Sequence, residues 1–190
     1  MDKSGPGYTF LLLWICIWVL TLAPPVSTFA GERPAVGAEL PEFQLETPKS
    51  VEERAYLGIK ANPSFSITQL KAELVLIEII GVYCPRCHRQ HPLFNKLFYR
   101  IKKNSDMYNK TKMIGVAVGA NPIEVAYLKK EYRIPYPVIV DPNFEVHKVL
   151  GEPRTPFTML VTKEKKVVFA HLGVIEDMDK FFLQIKAFLH

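Results

Sequence analysis

The stretch Val82-Tyr83-Cys84-Pro85-Arg86-Cys87-His88-Arg89-Gln90-His91-Pro92 joins two segments of different periodicity. Upstream, Leu74 to Ile80 (LVLIEII) is a continuous apolar run broken only by Glu78, the pattern of a strand buried on both faces. Downstream, Phe94, Leu97, Phe98 and Ile101 recur at helical spacing. Pro85 suits the first turn of a helix that ends near Lys102-Lys103-Asn104. The Cys-x-x-Cys pair therefore falls where a buried strand hands over to a helix. Cys84 then lies at the helix start, where unpaired N–H groups and the dipole favour a thiolate. Cys87, one turn on, can reach a mixed disulfide formed at Cys84. Arg86 and His88 are expected to add positive potential and lower the Cys84 pKa further.

Outward from this junction, strands and helices follow one another. Residues 31 to about 50 are rich in Pro and Glu and read as a linker, with a short strand at Phe43 to Glu46. From Val51 to Pro63 the signal is weak, and Ser66 to Leu70 reads as a capped short helix. Past the central helix come a strand at Met113 to Val118 and a helix opened by Asn121-Pro122 that runs to about Tyr132. Next are a strand at Tyr136 to Val140 and a short helix from Phe144 to Leu150, closed by Gly151. Strands at Phe157 to Thr162 and Val167 to Leu172 flank the charged turn Lys163 to Lys166, and Asp177 to His190 forms the last helix. An early βαβ half followed by a ββα half gives an α/β sandwich around a mixed sheet.

The 190 residues are 48% hydrophobic and 23% charged, which excludes a disordered chain, and three cysteines are too few for a disulfide-stapled scaffold. The third, Cys16, lies in the uncharged run Phe10 to Ala23. Lys3 before that run, Pro24-Pro25 after it and the small-x-small site Thr28-Phe29-Ala30 give the layout of a secretory signal peptide. An uncleaved N-terminal anchor is the other reading of residues 1–30. Cleavage after Ala30 would leave Cys84 and Cys87 as the remaining cysteines. The net charge of +5 is mild and dispersed, and does not indicate a nucleic-acid partner.

With these residues in place, the chain resembles the thioredoxin-like proteins, specifically the exported TlpA/ResA-like redoxins, over roughly Leu40 to Leu189. Glu78, six residues before Cys84, falls where thioredoxins carry a buried acid. Pro92 matches the proline that kinks the active-site helix. Thr155-Pro156-Phe157 matches the cis-proline loop that faces the cysteines. The resemblance implies a thioredoxin-like α/β fold with an N-terminal extension: 31–65 as linker and extension, 66–190 as the domain. It implies that Cys84, Cys87 and Glu78 carry the chemistry, supported by Tyr83, Pro85, Arg86, Thr155 and a cis Pro156. The only redox group would be the Cys84–Cys87 disulfide, with no cofactor. It further implies an extracytoplasmic, monomeric disulfide reductase acting on protein thiols and disulfides, with apocytochromes among its substrates during cytochrome c maturation. A membrane thiol carrier would recharge it, and the chain itself would touch the membrane only through its N-terminal segment.

Two departures stand out. Tyr83 occupies the place where the family usually has Trp. Gln90 stands where the ResA-like branch often has Glu, and Glu78 is expected to replace that acid as proton acceptor for Cys87. A solvated Glu78 at a sheet edge is the alternative. Other readings of the motif are open at this point. Cys84-Pro85-Arg86-Cys87-His88 fits the c-type haem pattern, with Met107, Met113 or Met159 as distal ligand. Cys84, Cys87, His88 and His91 offer a compact set of zinc donors. A thioredoxin-like module used only for binding is a further alternative. Peroxide chemistry is unsupported, because Gly81 stands where a peroxidatic cysteine would have Thr.

Overall fold

All seven residues of β3 (Leu74–Ile80) are buried, so the strand needs apolar cover on both sides and lies at the centre of the sheet. The computed structural model describes Met1 and residues 33–189. The expected signal or anchor segment lies outside the described residues. Around β3 stand β4 (Thr111–Val118), β5 (Val138–Asp141), β6 (Phe157–Thr162) and β7 (Val167–Leu172), in the order β5-β4-β3-β6-β7. The β3/β4 and β4/β5 pairs are parallel, and β3/β6 and β6/β7 are antiparallel. This is the mixed sheet expected from the sequence.

Alternation along β3 sorts its side chains between two cores. Leu74, Leu76 and Ile80 pack with α2 (Pro85–Lys102), α6 (Met178–Ala187) and part of α4 (Pro122–Tyr132), through residues such as Phe94, Leu97, Phe181 and Leu128. Val75, Ile77 and Ile79 face the other way and meet Val146 and Leu150, from and just after α5 (Glu145–Val149), together with the N-terminal region.

That last contact corrects the linker reading of residues 31 to about 50 from Leu40 onward. Leu40, Phe43, Leu45, Leu57 and Phe65 are buried against the second face of the sheet. The region holds a short antiparallel strand pair, β1 (Leu45–Glu46) with β2 (Ser64–Phe65), and between them in sequence helix α1 (Val51–Leu57). Ser50 caps α1 by accepting from Glu53 N at 3.2 Å, and Gly58 ends it in the left-handed region at φ 69°. The physical reason is coverage. The helices α2, α4 and α6 serve one face of β3, and on the other face α5 shares the cover with these residues. A second helix absent from the sequence reading, α3 (Ser105–Lys110), is capped by Asn104. The short helix expected at Ser66 to Leu70 is a 3₁₀ turn at Ile67–Gln69. Among the described residues no helix is long and apolar enough to cross a membrane.

Helix α2 buries one side chain at a cost. His91 is fully buried, neither ring nitrogen has a hydrogen-bond partner, and its neighbours are the rings of Tyr132 at 4.9 Å and His88 at 6.2 Å. Burial, with a smaller contribution from His88, pushes its pKa down from 6.5 to about 4. The sign follows from linkage: below pH 6.5 the unfolded chain binds a proton that the folded chain does not. Stability is therefore fully present above pH 6.5 and drains as the pH falls toward 4, by up to roughly 3 kcal/mol. His91→Leu should match or exceed the parent at pH 7.5, since it leaves no orphaned polar atom. In urea unfolding its advantage should widen as the pH drops from 6.5 to 4. An advantage independent of pH would mean that burial does not lower the pKa of the ring.

Candidate active site

Cys84 is the N-cap of α2, with extended backbone (φ −83°, ψ 113°), because Pro85 starts the helix and leaves the next N–H groups free. Its Sγ accepts from Cys87 N at 3.4 Å and donates to the Thr155 carbonyl at 3.5 Å. Gly81 makes room for this approach: a Cβ there would stand 3.3 Å from both Cys84 Cβ and Thr155 Oγ1. The Thr155–Pro156 peptide is cis, as the resemblance implies, and the Pro156 carbonyl accepts from Gly173 N at 2.8 Å. The two cysteines are free thiols of opposite character, Cys84 half-buried and Cys87 fully buried.

Their acidities diverge accordingly. Partial burial disfavours the Cys84 thiolate, but hydrogen bonds from the Thr155 and Cys87 side chains and from the Cys87 and Arg86 backbone outweigh it. They hold the thiol below its ordinary value. The N–H groups at the helix start act as the sequence predicts, whereas the charges of Arg86 and His88, expected to lower the value further, do not contribute. Arg86 is exposed, where water screens its charge. His88 is turned away: its Nε2–H donates to the Val82 carbonyl at 2.6 Å, and its ring stacks on Tyr132 at 4.9 Å. Cys87 is pushed well up, by burial first and then by the neighbouring Cys84 sulfur.

Glu78 is fully buried on the central strand, which overturns the solvated-edge alternative. By the alternation of β3 it shares the sheet face that α2 and Cys87 cover. Its oxygens go to other partners than the thiol. Gln90 Nε2 donates to Oε1 at 2.7 Å and the Tyr136 hydroxyl donates to Oε2 at 3.0 Å. Burial raises the Glu78 pKa from 4.5 to about 7, against the lowering effect of these two bonds. Gln90 also reaches Thr158 Oγ1 at 3.4 Å, and its Oε1 accepts from Ile175 N at 2.9 Å. Sequence reasoning missed Gln90 and Tyr136 as partners of Glu78. A polar residue on the buried stripe of α2 was the available signal for Gln90. Tyr136 gave none.

The supporting residues divide. Pro85 and Arg86 are exposed at the mouth of the site. Tyr83 is 78% exposed and its hydroxyl donates to Glu124 Oε1 at 2.7 Å, which ties the Cys84 loop to the start of α4. For the haem reading, the His88 nitrogen that would ligate iron is engaged with Val82, and Met159 lies on the far face of the sheet. For zinc, the described residues hold no group of three or more His, Cys, Asp or Glu placed around a common point.

The chain is similar to proteins named as thiol-disulfide oxidoreductases. The thiol-disulfide oxidoreductase ResA of Bacillus subtilis is 25% identical over 168 residues, covering 88% of this chain and 83% of its own. The protein of that name from Bacillus cereus is 28% identical over 129 residues, covering 63% and 71%. Two solved structures share the fold. The thioredoxin domain of a thiol-disulfide oxidoreductase from Bacteroides vulgatus superposes with a TM-score of 0.62 at 17% identity, over 83% of this chain and 99% of its own. StoA from Bacillus subtilis gives 0.55 at 19% identity, over 83% and 100%. Together these relatives support oxidoreductase activity on thiols and disulfides. The Redoxin family model matches residues 35–181, a span that takes in both cysteines, Glu78 and the Thr155–Pro156 loop, and the chain belongs to the Redoxin family.

Proposed function

We propose that this redoxin is an extracytoplasmic disulfide reductase in which Cys84 attacks and Cys87 resolves. The observation that carries the reading is the contrast between two thiols one helical turn apart. One sulfur sits at the helix start with hydrogen bonds that favour its thiolate, beside the Thr155 carbonyl. The other is sealed in the core with a thiol that resists ionisation. A thiolate that forms readily and meets solvent is an attacking group; a buried one waits for a mixed disulfide to arrive.

In the first step the Cys84 thiolate attacks one sulfur of a substrate disulfide. A Cys84–substrate bond forms, the substrate S–S bond breaks, and the departing thiolate takes a proton. In the second, Cys87 loses its proton and attacks Cys84 Sγ, which forms the Cys84–Cys87 disulfide and expels the second substrate thiol. Two electrons pass from the dithiol to the substrate. The barrier to the second step is deprotonation of Cys87. Glu78, on the same sheet face and poised near neutrality, is the group suited to take that proton, directly or through one water. Turnover then needs a reductant for the new disulfide. The ResA-like resemblance brings with it a membrane thiol carrier in that role and apocytochrome c as substrate. The N-terminal apolar segment supports export, as a signal or as an anchor.

Two measurements test this. Cys84→Ser should abolish reduction of a disulfide substrate, whereas Cys87→Ser should accumulate a mixed disulfide at Cys84, visible by mass spectrometry without reductant. Turnover by the Cys84 variant would end the assignment and leave a binding module as the better reading. For Glu78, the rate of the second step should rise through pH 7 in the parent. In Glu78→Gln that inflection should vanish, with a loss of roughly a hundredfold at neutral pH. Stability should respond with its own sign. A carboxyl raised to about 7 favours the fold below pH 4.5 and loses that advantage as the pH climbs through 7. Glu78→Gln should accordingly gain on the parent by up to roughly 3 kcal/mol between pH 4.5 and 8.

A further inference from the structure

We propose that Tyr136 is a positioning residue for the resolving step, whose hydroxyl holds Glu78 by Oε2 and turns to accept a hydrogen bond from the proton delivered there. This rests on the reading above of Glu78 as proton acceptor, and it assigns the atom that receives the proton. The sheet sets the reach of the phenol. Tyr136 precedes β5, and β4 lies between β5 and β3. At the level of Glu78 the β4 residue is Gly115, which in turn pairs with Val138 of β5. A Cβ on Gly115 would stand 3.3 Å from Val138 Cγ2 and 3.5 Å from Ile80 Cδ1, on the face that carries Glu78. With no side chain there, Tyr136 reaches across β4 and brings its hydroxyl to 3.0 Å from Glu78 Oε2. The backbone that aims it is stiff. Tyr136 lies between Pro135 and Pro137, which fix their own φ and disfavour helical backbone in the residue before each. The Pro137 carbonyl accepts from Gly115 N at 2.9 Å, and the buried Tyr136 ring packs 6.1 Å from that of Phe98.

The two partners of Glu78 differ in what they can do once it is protonated. Gln90 Oε1 is occupied by the Ile175 N–H at 2.9 Å, so the amide cannot flip, and the NH₂ that meets Glu78 Oε1 at 2.7 Å only donates. A proton placed on that side would meet N–H hydrogens. A hydroxyl both donates and accepts, and it changes role by rotating about one bond. Tyr136 can therefore donate to the carboxylate and accept from the acid, while Gln90 keeps Oε1 as the carbonyl oxygen in both states. Cys87 gives up a proton and keeps the electron pair that attacks Cys84 Sγ, Glu78 gains the proton on Oε2, and Tyr136 retains its own. Bonds to a charged acceptor are the stronger kind, so the hydroxyl favours the ionised form of Glu78 on balance. The other titratable groups around the pair are the Cys87 thiol on α2 and the Tyr56 hydroxyl on α1, and burial holds both above their ordinary values. Gly115 on β4, Thr158 on β6 and Ile175 ahead of α6 do not titrate, and His91 on α2 faces Tyr132. The response near neutral pH is thus that of Glu78 itself.

The test follows single-turnover reduction of dithiodipyridine by the reduced protein, which releases one thiopyridone on attack by Cys84 and a second on resolution by Cys87. Tyr136→Phe keeps the ring and removes the hydroxyl. The inflection of the second release should move up by about one pH unit and its rate at pH 7 should fall by roughly fivefold, while the first release keeps the parental profile. Tyr136→3,5-difluorotyrosine, a stronger donor of nearly the same shape, should move the inflection down, and it decides the matter if the Phe variant does not fold. An inflection that neither substitution moves would overturn the proposal, since a side chain that only fills space changes stability and not this profile. The site of the proton is read from the infrared C=O stretch of the protonated carboxyl at pH 5.5, where exposed carboxylates are ionised. Gln90→Met should raise that frequency by freeing the carbonyl oxygen, and Tyr136→Phe should move it less. A larger rise in Tyr136→Phe would put the proton on Oε1 and refute the assignment. Glu78→Gln separates the two levels of the argument. If it keeps the inflection, Glu78 is not the acceptor and both readings fail; if it abolishes the inflection while the Tyr136 variants leave it in place, the role of Tyr136 alone falls.

Discussion

A carboxyl group buried in the middle of the central strand must be given donors, and meeting that demand ties the fold together. Glu78 takes one hydrogen bond from Gln90 on α2 and one from Tyr136, just before β5. Gln90 in turn reaches Thr158 on β6 and the Ile175 backbone ahead of α6. One amide thus links the active-site helix to two strands and to the entry of the last helix. Ile175 N–H can only donate, so it fixes Oε1 as the acceptor end and leaves the NH₂ end for Glu78. With an acid at position 90, two carboxyls would meet across 2.7 Å and would have to share a proton. The amide avoids that conflict and leaves Glu78 as the titrating group of this cluster near neutral pH.

The same helix creates the asymmetry of the two thiols by position alone. Cys84 and Cys87 are three residues apart, yet one occupies the last non-helical position and the other faces the core one turn later. Backbone N–H groups that cannot pair within the helix point at the first sulfur, and apolar side chains surround the second. No charged side chain is needed to set the difference. That frees Arg86 to face solvent, and it frees His88 to brace the preceding loop through Val82 and Tyr132.

Much of this was legible because the informative residues lie close together in sequence. The continuous run at Leu74 to Ile80 announced a central strand, Asn121-Pro122 a capped helix, and the Cys-x-x-Cys pair its place between strand and helix. What escaped depends on pairing over distance. In residues 33–65 the Pro and Glu content hides Leu40, Phe43, Leu45 and Leu57, whose spacing fits no single period because they descend onto the sheet from irregular chain, a short strand and a short helix. The local signals there were the short strand expected at Phe43 to Glu46, which overlaps β1, and the Ser50–Glu53 cap. Gln90 was read as an acid that had been lost. Its meaning appears only when Glu78, 12 residues earlier in sequence, stands 2.7 Å away. Tyr136 and Glu124 are the same case, because each matters through one oxygen of a distant partner.

Two buried titratable groups then pull the stability of the molecule in opposite directions. His91 is held below its ordinary value and penalises the fold as the pH falls from 6.5 toward 4. Glu78 is held above its ordinary value and penalises the fold as the pH rises from 4.5 toward 7. Their ranges overlap between pH 4.5 and 6.5, where a change in pH relieves one penalty while it deepens the other. Below that window His91 alone drains stability, and above it Glu78 alone does. Both side chains contact α2, His91 as part of it and Glu78 through Gln90, so the balance is struck within the helix that carries the cysteines. A fold that keeps a carboxyl poised for proton transfer near neutrality gives up some stability there. Between them the two groups place the most favourable range for the fold at pH 4.5 to 6.5, on the mildly acidic side of neutral.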